Sequence, residues 1–433
     1  MSERFKNVTL ALMSLLMIIL LMVNLTLSLD STHFVFLKNI LGIGVEEETE
    51  QGASVTSNAV IFPAKLAIRG QDGLYLASGS AMSEVFSEVS PVVSEAMGSV
   101  SKISKIDQYR FLELLGGNNI YLSFTFSVPF SLLQYWWTGE MGFSSDQAAL
   151  ALTVSAVDNK VVLAFFDSQS GKYYLAETAA GYDRFKTICD NAPEANAFFA
   201  FEQDGCHMLA PYQPVSASSV YYSSYAVTVP DFSAEGGVSQ SLLSAYGINP
   251  FLAKVYKTTE GDVVYVEGYI ALQLSKNGMA VYTSTGEGYG ISLDVPVGLS
   301  NKETEGYMIK RIVSVLEGIC SASSCQGELS VAEIARTQDG YMVAFERFLG
   351  GGFITEPDGY SAVVVVKDGV ITDIKLWLNS YSETSQTMLL PDNLVISLLD
   401  GEGNLLFVRY SEKDGILSPG IFSYNGGTKS GVE

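Results

Sequence analysis

Ser99 and Lys102 stand in Ser99-Val100-Ser101-Lys102, the S-x-x-K spacing in which a lysine one helical turn on activates a serine nucleophile. Ser275-Lys276-Asn277 and Lys429-Ser430-Gly431 follow in the order of the second and third motifs of a penicillin-recognising acyltransferase. Their contexts oppose that chemistry. The S-x-x-K falls at the end of an expected helix, whereas such a nucleophile belongs at a buried helix start. Ser275-Lys276-Asn277 falls in an expected hairpin turn, and Lys429 in an expected tail. With His33 and His207 as the two histidines, a Ser–His–acid triad would have to use His207. No H-E-x-x-H, P-loop or G-x-S-x-G occurs, and Gly286-x-Gly288-x-Gly290 has the wrong spacing for a dinucleotide fingerprint. Acid pairs such as Asp183 and Asp190 read as surface charge. The sequence thus predicts no catalytic residue, no metal-ligand set and no cofactor.

Thiols and aromatic rings are the remaining chemistry. Cys189, Cys206, Cys320 and Cys325 are even in number and permit two disulfides in an oxidising compartment. Local pairing gives Cys189–Cys206 and Cys320–Cys325, one of three connectivities, and buried free thiols are the alternative. Neither spacing is C-x-x-C, which weakens a metal reading even with His207 beside Cys206. Tyr135-Trp136-Trp137 has two readings, a packed core segment or an exposed patch that anchors a partner. Tyr221, Tyr222 and Tyr225, set among serines, invite the same two.

These residues must be positioned by a chain of 433 residues with formal net charge −22. So acidic a surface repels nucleic acid and anionic headgroups, which excludes a nucleic-acid partner. Val8–Leu29 has no charged residue and as a helix would span roughly 33 Å, enough to cross a bilayer. Arg4 and Lys6 outweigh Glu3 in the leader, so the leader is expected in the cytoplasm and everything after Leu29 outside. The apolar run is long for a cleaved signal peptide and ends without a small-x-small site. We therefore expect a single-pass membrane anchor, with Ser14, Asn24 and Thr26 as candidate contacts to a neighbouring membrane helix.

Composition then divides the chain. Residues 1–7 are the leader, 8–29 the anchor, and 30–57 a juxtamembrane segment with the acidic linker Glu46–Gly52. Alternating strands such as Ile120–Phe126 and a helical pattern over Ser80–Val100, which Pro91 is expected to divide, place an α+β domain at 58–215. A β-meander follows at 216–300, punctuated by Glu260-Gly261-Asp262 and Lys276-Asn277-Gly278. The amphipathic stretch Glu303–Ile319 opens a helix-plus-sheet domain at 301–424, and 425–433 is a tail. The predicted class is α+β, a membrane helix followed by tandem antiparallel-sheet-plus-helix domains.

This arrangement resembles the YycH/YycI family of extracytoplasmic regulatory proteins of Gram-positive bacteria. The resemblance rests on the anchor and on Asn249-Pro250-Phe251 leading into VYKTTEGDVVYVEGYIALQLSKNGMAVYTST. It rests further on YMVAFERFLGGGFI with YSAVVVVKDGVITDIKLWL, which is similar to PepSY-type modules, and on NNIYLSFTFSVPF and VVLAFFDSQSGKYYLAE. It implies a non-enzymatic regulator beside the sensor histidine kinase of a cell-wall two-component system, with a YycI-like protein as possible co-regulator. The competing class is a PepSY-like binding or inhibitor module for a peptidase or wall ligand, which would need a concave aromatic groove.

Overall fold

The strand Asn119–Pro129 is buried on both faces, with Ile120, Leu122 and Phe124 to one side and Tyr121, Ser123 and Thr125 to the other. A strand of that kind belongs in the middle of a sheet covered on both sides. It pairs antiparallel with Ala148–Val157 and with Lys65–Gly70. The resulting nine-stranded sheet runs, in spatial order, from Lys102–Ile106 through Lys172–Glu177, Lys160–Asp167, Ala148–Val157 and Asn119–Pro129. It continues through Lys65–Gly70, Gly73–Leu76 and Ala197–Phe199 to Pro214–Ser216.

These coordinates are a computed structural model that describes residues 60–432, apart from 144, 233–237, 287, 338–339, 400 and 426–427. The anchor Val8–Leu29 with Ser14, Asn24 and Thr26, and the segment carrying His33, lie outside the described residues. Residues 54–433 form one compact unit, which is α+β with two sheets and seven α-helices among the described residues. None of these helices is long and apolar enough to cross a membrane.

Helix α1 (Ala81–Gly98) runs unbroken through Pro91. The expected division fails because one apolar face is buried along the whole helix, Met82, Val85, Phe86 and Val89 before Pro91 and Val92, Val93, Ala96 and Met97 after it. Helix α2 (Gln108–Gly116) starts where the Asp107 carboxylate accepts the Arg110 N–H at 2.7 Å. Helix α3 (Phe130–Thr138) stops at Gly139, whose φ of 79° is the left-handed cap that glycine supplies. Helices α4 (Tyr182–Asp190) and α5 (Gln240–Ala245) are short. Helix α6 (Asn301–Ser323) opens with a reciprocal capping box between Ser300 and Glu303 and buries Met308, Ile309, Ile312, Val313, Leu316 and Ile319. Helix α7 (Asp392–Val395) is a single turn.

The second sheet has fifteen strands. The meander Lys254–Lys257, Val263–Glu267, Ile270–Leu274 and Met279–Ser284 continues by pairing Met279–Ser284 with Val370–Trp377. Ala362–Lys367 and Gly340–Leu349 follow. The segments expected as two domains on either side of residue 300 therefore share one sheet, while the passage from Pro214–Ser216 to Val220–Thr228 does separate the two sheets. One row of cross-strand neighbours explains the continuity: Leu272, Tyr282, Ile374, Val364 and Val343 are all buried on one face. Splitting the sheet between Tyr282 and Ile374 would expose that row. The expected tail is also structured. Thr428–Val432 folds back antiparallel on Ile416–Asn425, with Thr428 opposite Asn425.

Candidate docking surface

The motif residues are engaged elsewhere. Ser99 caps the end of α1, where its hydroxyl donates to Glu95 O at 2.8 Å, and Lys102 pairs with Glu177 at 3.0 Å in the next strand. Ser275 lies in the hairpin before Met279–Ser284 and donates to the Asp262 carboxylate at 3.3 Å. Lys429 lies on the last strand of the second sheet. His207 is exposed in a turn. Among the described residues no cluster of three histidine, cysteine or acidic side chains could hold a metal.

The cysteines divide unequally. Cys320 and Cys325 form a disulfide, their Cα atoms 4.9 Å apart. Cys189 and Cys206 are free and buried, in separate apolar clusters, which corrects the expected pairing of the two. Cys189 lies under the first sheet, on α4, and burial pushes its thiol up to about 12, with Asp190 adding to the rise. Burial likewise raises Cys206. Such thiols pack as small hydrophobes.

The aromatic trio offers no platform to a partner. Trp136 is 7% exposed, and Tyr135 and Trp137 are half-buried against the core. They form the joint between helices. The Ser94 hydroxyl donates to Trp137 O at 3.0 Å, and a Cβ placed on Gly306 of α6 would stand 2.6 Å from the Tyr135 ring. Lys310 Nζ sits 5.2 Å over the same ring. Of the two readings of this trio the packed segment is the one found, and the candidate partner surface at Tyr135, Trp136 and Trp137 is corrected: α6 packs on this aromatic face where Gly306 lets it approach. Of the later tyrosines, Tyr222 is buried, Tyr225 is half-buried 5.6 Å from Tyr410, and Tyr221 is exposed opposite an exposed Met388.

Exposed apolar surface gathers instead at the first strand of the meander. Asn249 organises a turn, accepting the Phe251 N–H on its side chain at 3.0 Å and the Leu252 and Ala253 N–H groups on its carbonyl. That turn leaves Phe251 81% and Leu252 67% exposed. Lys254–Lys257 follows, exposed at all four positions, with Val255 at 55% and Tyr256 at 53%. Among the described residues this strand is the last of the sheet's strand order, its ladder made with Val263–Glu267. Val255 lies opposite Tyr265, which lies opposite Leu272, so the buried apolar row emerges here into solvent. Chemically the edge can accept an added strand and cover apolar side chains. Sequence reading found the strand but not its place in the sheet. Lysines at both ends of KVYK, with Pro250 just upstream, are the edge signature that could have marked it.

Cavities are poor in comparison. The one between the sheets, lined by Lys65, Leu76, Met82, Tyr222, Asp392 and Phe407, encloses about 40 Å³. That is room for water, where a small-molecule site needs about 300–1,000 Å³. A broader hollow of about 690 Å³ beside Ile106–Arg110 is open and has one aromatic wall, Tyr173.

Charge is buried in the second sheet. Arg409 and Glu346 form an ion pair with side chains 3% and 1% exposed. On the next residue, Arg347 is wholly buried and donates to Gln326 O at 2.6 Å and Trp377 O at 2.7 Å. Burial pushes Glu356 up to about 7, with Arg347 pulling it back.

No family model and no curated protein sequence matches the chain. The fold is similar to the crystal structure of YycH from Bacillus subtilis, with a TM-score of 0.55 and 13% sequence identity over 86% of this chain and 96% of that one. At that identity the likeness is one of fold, and it spans both sheets: the chain has a YycH-like fold.

Proposed function

We propose that this chain is a membrane-anchored, extracytoplasmic regulator of a sensor histidine kinase, acting through protein–protein contacts without catalysis. The exposed apolar side chains of Phe251, Leu252, Val255 and Tyr256, at the first strand of the meander, are the observation that carries this reading. In a YycH-like fold they form a surface suited to another protein rather than to a small ligand. Covering each of those side chains fully would stabilise a complex by about 1.5–3 kcal/mol before the costs of association. Val8–Leu29 would supply a second contact through Ser14, Asn24 and Thr26 against a kinase membrane helix, and a YycI-like protein would be the co-regulator. The competing groove-binding module has less behind it, since the cavity between the sheets is about 40 Å³ and the broader hollow beside Ile106–Arg110 has a single aromatic wall.

The test is crosslinking and recovery from membranes of three full-length proteins: native, anchor-swapped, and Val255→Lys/Tyr256→Lys. Recovery of a histidine kinase with the native protein and its loss with the edge variant is expected, with weakening on anchor exchange. Recovery of an extracellular hydrolase or a wall fragment equally with all three would sink the regulator.

A further inference from the structure

The disulfide Cys320–Cys325 closes the last turn of α6 and faces an open pocket of about 230 Å³, whose walls include Phe62, Glu317, Glu328 and Leu329. Behind it stands Arg347. Its Nη1 meets Cys325 Sγ at 3.5 Å, and its remaining contacts are the neutral Gln326 and Trp377 carbonyls. Its Nε has no partner, and among the described residues no carboxylate lies within ion-pair distance of it. Tyr381 and Glu356 act on it only through their fields. A fully buried cation with no counter-ion in contact is costly. The group in contact with it that can become an anion is Cys325, and it can do so only when the disulfide opens.

We propose that Cys320–Cys325 is a thiol–disulfide exchange site for a dithiol donor, with Cys325 leaving as a thiolate held by Arg347. The donor thiolate enters the pocket and attacks Cys320 Sγ; the S–S bond breaks and its electron pair goes to Cys325 Sγ beside the guanidinium. A nearby cation makes this sulfur the better leaving group. The donor's second thiol, deprotonated, then attacks the donor sulfur of the mixed disulfide. Cys320 leaves, takes a proton and stays a thiol, because Glu317 and Glu328 beside it disfavour a second anion. The donor departs as a disulfide, having given two electrons to the protein.

The site is wired to its surroundings. Gln326, next to Cys325, accepts the Tyr381 N–H on its side chain at 3.2 Å. The strand that starts at Glu328 carries Ser330, whose hydroxyl accepts the Phe62 N–H at 2.9 Å, and Val331, whose N–H donates to Val60 O at 3.0 Å. Opening the loop would therefore act on the hydrogen bonds that tie Val60 and Phe62 to this strand. This inference stands apart from the kinase reading and does not need it.

Full-length protein is equilibrated in graded mixtures of reduced and oxidised dithiothreitol, quenched in acid, alkylated and mapped by mass spectrometry, with circular dichroism alongside. The expected result is reversible reduction of Cys320 and Cys325 with the fold retained, while Cys189 and Cys206 stay unmodified. A pair that stays oxidised until the protein unfolds overturns the proposal. A Cys320→Ser variant leaves Cys325 alone beside Arg347, and the pH dependence of its alkylation rate then reports its ionisation. A midpoint at least one unit below the ordinary value of about 8.5, equivalent to roughly tenfold more thiolate at neutral pH, is expected. A midpoint at or above that value overturns the role of Arg347.

Discussion

The two sheets finish their edges differently. The first ends on Lys102–Ile106 and Pro214–Ser216. In Lys102–Ile106 the lysines 102 and 105 point to solvent while Ile103 and Ile106 turn to the core, and in Pro214–Ser216 every residue is buried. The second sheet also sets lysines on its first strand, but Val255 and Tyr256 between them stay exposed, with Phe251 and Leu252 beside them. Charged residues alone do not close an edge. What closes it is where the intervening apolar side chains go: partly buried against the core in one sheet, into solvent in the other.

The interiors differ as well, and the largest effects are expected there. Asn119–Pro129 and Ala148–Val157, central in the first sheet, carry no charged residue, whereas Gly340–Leu349 of the second buries Glu346 and Arg347. Glu346→Gln leaves Arg409 buried without its counter-charge and should cost about 3–5 kcal/mol. Adding Arg409→Met should restore much of that loss, since an apolar replacement of both partners removes the desolvation penalty with the attraction. Urea unfolding of the two single variants and the double variant measures the coupling. Additive losses would mean that the ion pair is not the feature that holds these strands.

Glu356 gives the second sheet a pH dependence. Its carboxyl is raised from 4.5 to about 7, chiefly by burial. The unfolded chain releases this proton near 4.5 and the folded chain holds it to about 7, so between those values the folded state binds more protons. The stability contributed is fully present below pH 4.5 and is lost as pH rises through 7. Glu356→Gln keeps the neutral form at every pH. The stability of the native protein minus that of the variant should therefore fall by on the order of 1–3 kcal/mol from pH 4.5 to 7.5. Parallel unfolding curves across that range would remove Glu356 from the account.

Much of this was legible in the sequence, for reasons that individual residues show. Period-two alternation in Ile120–Phe126 and helical spacing in Met308–Ile319 give strand and helix directly, because local geometry alone sets those periods. Pro91 misleads because its effect depends on the packing of the helix on either side of it, which the local sequence does not show. Tyr135-Trp136-Trp137 left two readings open because the contact that separates them, with Gly306 on α6, lies far along the chain. The strand Lys254–Lys257 falls within the meander expected at 216–300, yet its exposure depends on which strand pairs with which, and pairing is non-local. The buried charges of Glu346, Arg347 and Arg409 left no mark in composition.

Edge substitutions test the contrast more finely. Ile103→Lys removes a half-buried side chain from the core and should cost about 1–2 kcal/mol. Val255→Lys should change stability by no more than about 0.5 kcal/mol. The same Val255 variant should reduce crosslinked partner at least tenfold while Ile103→Lys spares it in folded protein. Equal stability losses for the two would mean that Val255 is as well covered as Ile103, and the exposed apolar surface would disappear.

The smallest effect belongs to the ion pair at the closed edge. Lys102 and Glu177 face each other across the outermost strands of the first sheet, with Nζ to Oε1 at 3.0 Å and side chains 65% and 53% exposed. Water screens such a pair, and holding two long side chains in one geometry offsets most of the attraction. Glu177→Gln should therefore cost between 0 and about 1 kcal/mol, and less in high salt. A loss of several kcal/mol that survives high salt would show that the edge is held by charge. A negligible loss leaves Ile103 and Ile106 as what closes it, the inward apolar contacts that Val255 and Tyr256 lack.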